Sequence, residues 1–293
     1  MQEFRPPPPA RREHYKTICF VVALVMPLVT VTDLDDPRLA PYRALKRTND
    51  TARRGLFIAE GDKLVERLLR SGLTLESVLL SEPHVAQFAP LLPENLPALV
   101  IADDAVEALV GFNFHRGILA CGRRPAPPSL EQVVAGPRST LVVCPDVQDP
   151  ENLGAIVRIA AGFGAAGLVL GPHCADPFSR RVQRVSMGNV YALPIVPVAD
   201  VATTLAELRS RHAMPSWATV LDADAETFDP RSRPNRLAIV FGSEGHGIPR
   251  DVVAACDRRV TIPMPSSVDS LNVAVAAGIF LYELTRFPTH SIE

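Results

Sequence analysis

Residues 141–170 read LVVCPDVQDPENLGAIVRIAAGFGAAGLVL, and this stretch decides the fold. Residues 141–144 are a short unbroken apolar run, the pattern of a strand buried on both faces. Asp149 is suited to cap a helix and Pro150 to occupy its first position, where the missing N–H costs nothing. From Asn152 to Phe163, the apolar residues Leu153, Ile156, Val157 and Ala160 fall at i, i+3, i+4 and i+7, one buried helix face. Residues 167–170 are a second apolar run. The same alternation continues downstream, with strands around 217–221, 237–241 and 260–262 and a last helix over 271–286. Short apolar strands alternating with helices specify an α/β domain with a parallel sheet covered on both faces. Ligands of such sheets sit beyond the carboxyl ends of the strands, so chemistry is sought in the loops after Cys144, Phe241 and Ile262.

Upstream, residues 30–122 carry a second, smaller α/β pattern. Strands are expected at 56–59, 77–80, 98–102 and 117–121, with an amphipathic helix over 61–70 that buries Leu64, Val65 and Leu68. The Pro-rich stretch 123–137, with one short helical piece, suits a linker. The expected division is therefore a Pro-rich extension (1–25), a small domain (26–122), a linker (123–139) and a larger domain (140–293). Residues 17–31 are apolar and follow basic residues, as in a signal peptide. The run is shorter than the roughly 20 residues a bilayer needs, and no small-residue cleavage site follows it. The reading preferred here is a first strand from about Met26, preceded by an extension or an over-long start.

Composition narrows the partners. A net charge of −2 over 293 residues does not attract phosphate as a whole, so a nucleic-acid partner requires the basic residues to be gathered on one surface. Five scattered cysteines with no C-x-x-C pair argue against disulfides and a zinc site and fit a reducing, cytoplasmic setting. No metal and no membrane are expected.

Three loops carry candidate chemistry. The first opens the helix at Asn152. Arg158 lies off its buried face, and Gly154, one turn earlier on the same side, is read as clearing space above the guanidinium. A solvated helix arginine is the plain alternative. The second, Phe241 to Pro249 (FGSEGHGIP), places three glycines at a strand end around Glu244, which either serves a ligand or is a solvated carboxylate. The third, Ile262 to Asn272 (IPMPSSVDSLN), forms one wall of a pocket or merely caps the last helix through Ser270 or Asp269. Gly162, Gly164 and Gly167 spell G-x-G-x-x-G, but they close a helix and lead into a strand. A dinucleotide fingerprint requires the reverse order, so this one is a helix cap and turn.

In this order and at strand ends, D-P-x-N-x-G-x-x-x-R, F-G-x-E-G-x-G and I-P-M…S-L-N resemble the three motifs of the SpoU/TrmH group of RNA 2′-O-ribose methyltransferases, in the SPOUT superfamily. The resemblance covers residues 141–286 closely. It extends loosely to the small domain, where Arg54, Phe57, Glu60 and Gly61 are similar to the ribosomal-protein-like substrate-binding domain of many members. It implies a trefoil knot in the larger domain, S-adenosylmethionine as cofactor, and a homodimer whose site uses both chains. It carries Asn152, Arg158, Glu244, Ser270 and Asn272 over as the active-site set. Gly242, Glu244, Gly245, Ile262, Ser270 and Leu271 carry over as cofactor positions. Arg184, in R-V-S-M-G, falls where RNA can reach. The basic residues Arg43, Lys46, Arg47, Arg53 and Arg54 are the expected phosphate contacts of the small domain. The implied reaction is 2′-O-methylation of structured RNA, ribosomal rather than transfer RNA. A tRNA ribose methyltransferase and a non-catalytic RNA-binding module are the alternatives.

Overall fold

The chain builds two sheets. The computed structural model describes residues 28–45, 50–222, 224–265 and 270–286. Five strands form the first sheet: β1 (Leu28–Thr30), β2 (Leu56–Glu60), β3 (Leu75–Ser81), β4 (Ala98–Ile101) and β5 (Ile118–Arg123). Their order is β1-β4-β3-β5-β2, with β1, β4 and β3 parallel and β5 antiparallel to both β3 and β2. The helices α1 (Asp50–Arg53), α2 (Asp62–Leu69), α3 (Val85–Phe88) and α4 (Asp103–Val110) connect them. The two-residue period sorts the side chains. Phe57, Ala59, Val78, Leu80, Ile118 and Ala120 pack with Leu64, Val65 and Leu68 of α2. Ile58, Leu79, Leu119 and Cys121 pack on the other face with Val106, Leu109 and Val110 of α4. The first strand expected from Met26 begins at Leu28; Met26 itself lies outside the described residues.

The rest of the chain alternates as its sequence requires. In order come α5 (Leu130–Val133), β6 (Ser139–Cys144), α6 (Pro150–Gly162), β7 (Gly167–Leu170), α7 (Arg180–Val185) and β8 (Ile195–Pro197). Then follow α8 (Val201–His212), β9 (Ser216–Thr219), β10 (Glu226–Thr227), β11 (Arg236–Val240), α9 (Arg250–Ala255), β12 (Arg258–Thr261) and α10 (Val273–Arg286). The strands make one parallel sheet, ordered β10-β12-β9-β11-β6-β7-β8. Val142, Leu168 and Ile239 face α6 and α10, whereas Leu141, Val143, Ala238 and Val240 face α8 and α9. Both faces are covered, as a parallel sheet demands.

Asp149 caps α6 by accepting from the amides of Glu151 and Asn152, and Pro150 opens it. Gly162 ends it and Gly164 turns the chain at φ +67°, so the G-x-G-x-x-G run is a helix cap and turn. Gly154 departs from its expected purpose. A Cβ there would lie 2.7 Å from Cβ of Val185 and 3.1 Å from the Val182 carbonyl. Its space is filled by α7 and serves helix packing, not the Arg158 guanidinium. The proline stretch is also more than a tether. Val133 and Val134 are buried beneath the second sheet. Arg124 grips Asp176 with two hydrogen bonds of 2.8 and 2.6 Å and donates to the Leu56 carbonyl. The two sheets share one apolar core, because Phe57 packs against Phe178 and Tyr191, with ring centroids 5.0 and 5.7 Å away. Gln183, fully buried, donates to the Ile58 carbonyl at 2.9 Å across the same seam.

Candidate active site

The carboxyl ends of β9, β11 and β12 converge on a cavity of about 460 Å³. Gly242, Glu244, Gly245, Ile262, Ser270 and Leu271 all line it. The glycine loop folds back on itself: the Ser243 amide donates to the Gly247 carbonyl, and the Gly247 amide returns a bond to Ser243, each 3.0 Å. Gly247 adopts φ +67°, and a Cβ on Gly242 would come within 2.2 Å of the Gly247 carbonyl carbon. No side chain fits at 242, so the loop needs glycine there. Phe241 and Phe280 supply an apolar floor, their rings 5.9 Å apart.

One side chain ties the three motif loops together. Asn272, not Ser270, caps α10: its Oδ1 accepts from the amides of Ala274 (2.9 Å) and Val275 (3.1 Å). Asp269 lies outside the described residues. The cap fixes the amide's orientation and turns both N–H groups of Nδ2 outward. Nδ2 donates to Oδ1 of Asn152 at 2.8 Å and to the Glu244 carboxylate. A helix cap on the third loop thus reaches the first and second loops at once.

Arg158 is not in this arrangement. It is exposed on α6 and does not line the cavity, and among the described residues it makes no hydrogen bond or ion pair. Sequence reasoning missed Ser243, whose hydroxyl is buried at the cavity wall with no hydrogen-bond partner among the described residues. A buried hydroxyl left without a partner is costly and fits a site completed by a ligand. It also missed Thr219, Val220 and Leu221 at the end of β9. Applying the strand-end rule to β9 as well as to β11 and β12 finds them. Burial pushes the thiols of Cys144 and Cys174 up and disfavours the thiolate.

The expected RNA contacts are scattered. Arg43 is spent on the carbonyls of Leu34 and Asp36. Lys46 and Arg47 lie outside the described residues. Arg53 and Arg54 are exposed at the end of α1. Arg184 sits in the seam between the sheets, 3.8 Å from the Glu60 carboxylate. A second cavity, about 660 Å³, opens at the ends of β7 and β8 beneath the proline stretch.

Comparison with known proteins agrees with this geometry. The model of the SpoU rRNA Methylase family matches residues 139–282. An uncharacterized tRNA/rRNA methyltransferase of Mycobacterium bovis is 38% identical over 269 residues, which span 89% of this chain and 92% of that protein. The 23S rRNA (guanosine-2′-O-)-methyltransferase RlmB of Nitrosomonas europaea is 37% identical over 194 residues, 64% of this chain and 73% of that one. The crystal structure of an AdoMet-bound rRNA methyltransferase from Sinorhizobium meliloti superposes with a TM-score of 0.72 at 28% identity, covering 88% of this chain and 98% of that one.

Proposed function

The chain belongs to the SpoU rRNA methylase family, and from that premise we propose that it moves a methyl group from S-adenosylmethionine to a ribose 2′-hydroxyl of ribosomal RNA. The observation that carries this reading is Asn272, which joins Asn152 and Glu244 at a glycine-walled cavity. The cavity suits the cofactor: an apolar floor of Phe241 and Phe280 for a purine, a backbone wall at Gly242, and the unpartnered Ser243 hydroxyl. The cofactor supplies an electrophilic methyl on a sulfonium. The chain must align the ribose oxygen behind that methyl, and alignment alone can account for much of the rate.

Within this reading Asn152, Ser270 and Asn272 position the sugar, and Glu244 holds the Asn272 amide. Arg158 binds the adjacent phosphate and stabilises the developing alkoxide. A guanidinium stays protonated at any working pH and so serves as a clamp, not a base. Because Arg158 is exposed and does not line its own cavity, we assign it to the site of a second copy. The exposed stripe Val275, Ile279 and Tyr282 on α10, which packs beside α6, is the apolar face such a homodimer would cover. The same reading places a trefoil knot where α10 follows the loop after β12. It treats residues 26–122 as the RNA-binding domain, residues 140–293 as the methyltransferase domain, and the cytoplasm as the setting.

Purified protein, tritiated S-adenosylmethionine and unmodified 23S rRNA test the proposal, with tRNA assayed alongside. The expected product is one 2′-O-methylated nucleoside in the nuclease digest of the rRNA. Label on a base, or no cofactor binding by calorimetry, overturns it.

A further inference from the structure

Glu60 closes β2 with its side chain only 9% exposed, and three guanidiniums surround it. Arg180 makes the one hydrogen bond, 3.1 Å to Oε2, and also lies over the Phe112 ring at 4.3 Å. Arg184 and Arg116 stop short, at 3.8 and 3.9 Å, and neither hydrogen-bonds the carboxylate. One buried negative charge therefore gathers three positive ones. The Nε of Arg184 is buried with no partner among the described residues.

The surplus opens onto a cavity of about 360 Å³ lined by Asp62, Lys63, Leu64, Arg116, Arg184 and Met187. Its walls are built for close approach. Gly61 takes φ +94°, a conformation that disfavours any side chain, and Cδ of Arg116 lies 2.7 Å from where its Cβ would stand. Opposite, Met187 is held at φ +53°, and its carbonyl accepts from Arg67 of α2. Strained backbone of this kind persists where surrounding contacts enforce it, often at ligand sites. One turn back along α7, Arg181 pairs with Glu151, the neighbour of Asn152. A single helix thus joins this notch to the candidate active site.

We propose that Lys63, Arg116 and Arg184 form a phosphodiester-binding notch at the seam between the two sheets, which holds the RNA backbone beside the methylated nucleotide. Its identification with RNA rests on the function proposed above; its preference for phosphate does not. Glu60 acts as a positioning residue. It orients the arginines while cancelling one of their charges, so the notch keeps its donors for a ligand anion.

The test titrates a fluorescent RNA hairpin against full-length wild type, Lys63→Gln, Arg116→Gln, Arg184→Gln and Glu60→Gln across a salt series. Tripolyphosphate is titrated in parallel, and S-adenosylmethionine binding by calorimetry reports intact folding. Each cation-removing variant should bind RNA several-fold more weakly and lower the log–log salt slope by roughly 0.7–0.9. Glu60→Gln keeps an acceptor for Arg180 but frees a charge, so it should bind RNA more tightly, which a merely structural role does not predict. If wild type ignores RNA yet tripolyphosphate binding needs the three cations, the notch stands and the RNA reading falls. RNA and tripolyphosphate affinities unchanged in all four variants overturn the notch.

Discussion

Two cavities share the carboxyl edge of the seven-stranded sheet, and the smaller one is the candidate active site. The larger, at the ends of β7 and β8, is lined by seven prolines (Pro125, Pro127, Pro128, Pro172, Pro177, Pro194 and Pro197). Proline carries no N–H, so this lining is poor in donors. Its two charged residues, Arg124 and Asp176, are spent on each other. The smaller cavity has a glycine backbone wall, the unpartnered Ser243 hydroxyl and the Asn152–Asn272–Glu244 chain. Convergence of polar groups, not volume, marks the candidate site.

Substitutions can break this contrast. Arg158→Lys replaces a planar fork with a point charge on a flexible stem. It should leave folding and cofactor binding intact while methyl transfer falls roughly 10²- to 10³-fold, the loss typical of one transition-state donor. Single-turnover rates measure this, and near-wild-type transfer removes Arg158 from the chemistry.

Asn272→Asp sharpens the contrast, because aspartate keeps the acceptor that caps α10 but discards both donors and faces Glu244 with a like charge. Transfer should drop roughly 10- to 100-fold, from two lost hydrogen bonds of which one is to a carboxylate. The melting temperature should hardly move. Asn272→Ala, which also loses the cap, should in addition cost about 1 kcal/mol of stability in denaturant titration.

The smallest effect on transfer belongs to the proline cavity. Leu193→Ala removes a buried side chain from its wall and should destabilise the fold by about 2–3 kcal/mol. Transfer per folded molecule should stay within about two-fold of wild type. A specific loss of rate there would mean that the apolar cavity takes part after all.

Much of this was legible in the residues. The strand–helix–strand run at 141–170 follows from hydrophobic period, a local signal, whereas the six cavity positions come from the resemblance of the motif loops to the SpoU/TrmH group. What escaped was long-range. Gly154 resembles a ligand glycine until α7, some thirty residues later, is seen to fill its space. Ser270 is as good a cap as Asn272 on paper, and what distinguishes them is that α10 begins only at Val273, two residues later than expected. Arg43 sits in a basic run, yet its guanidinium turns back to two carbonyls. Charge in sequence does not tell which way a long side chain points.

The stacking of Phe57 on Phe178 and Tyr191 has a consequence for how this molecule comes apart. Two sheets that share one apolar seam cannot separate without wetting those rings and stranding Gln183 and the Ile58 carbonyl. Heat or denaturant should therefore melt both sheets in a single cooperative transition, and a fragment of either alone would carry a sticky aromatic scar where the other had been.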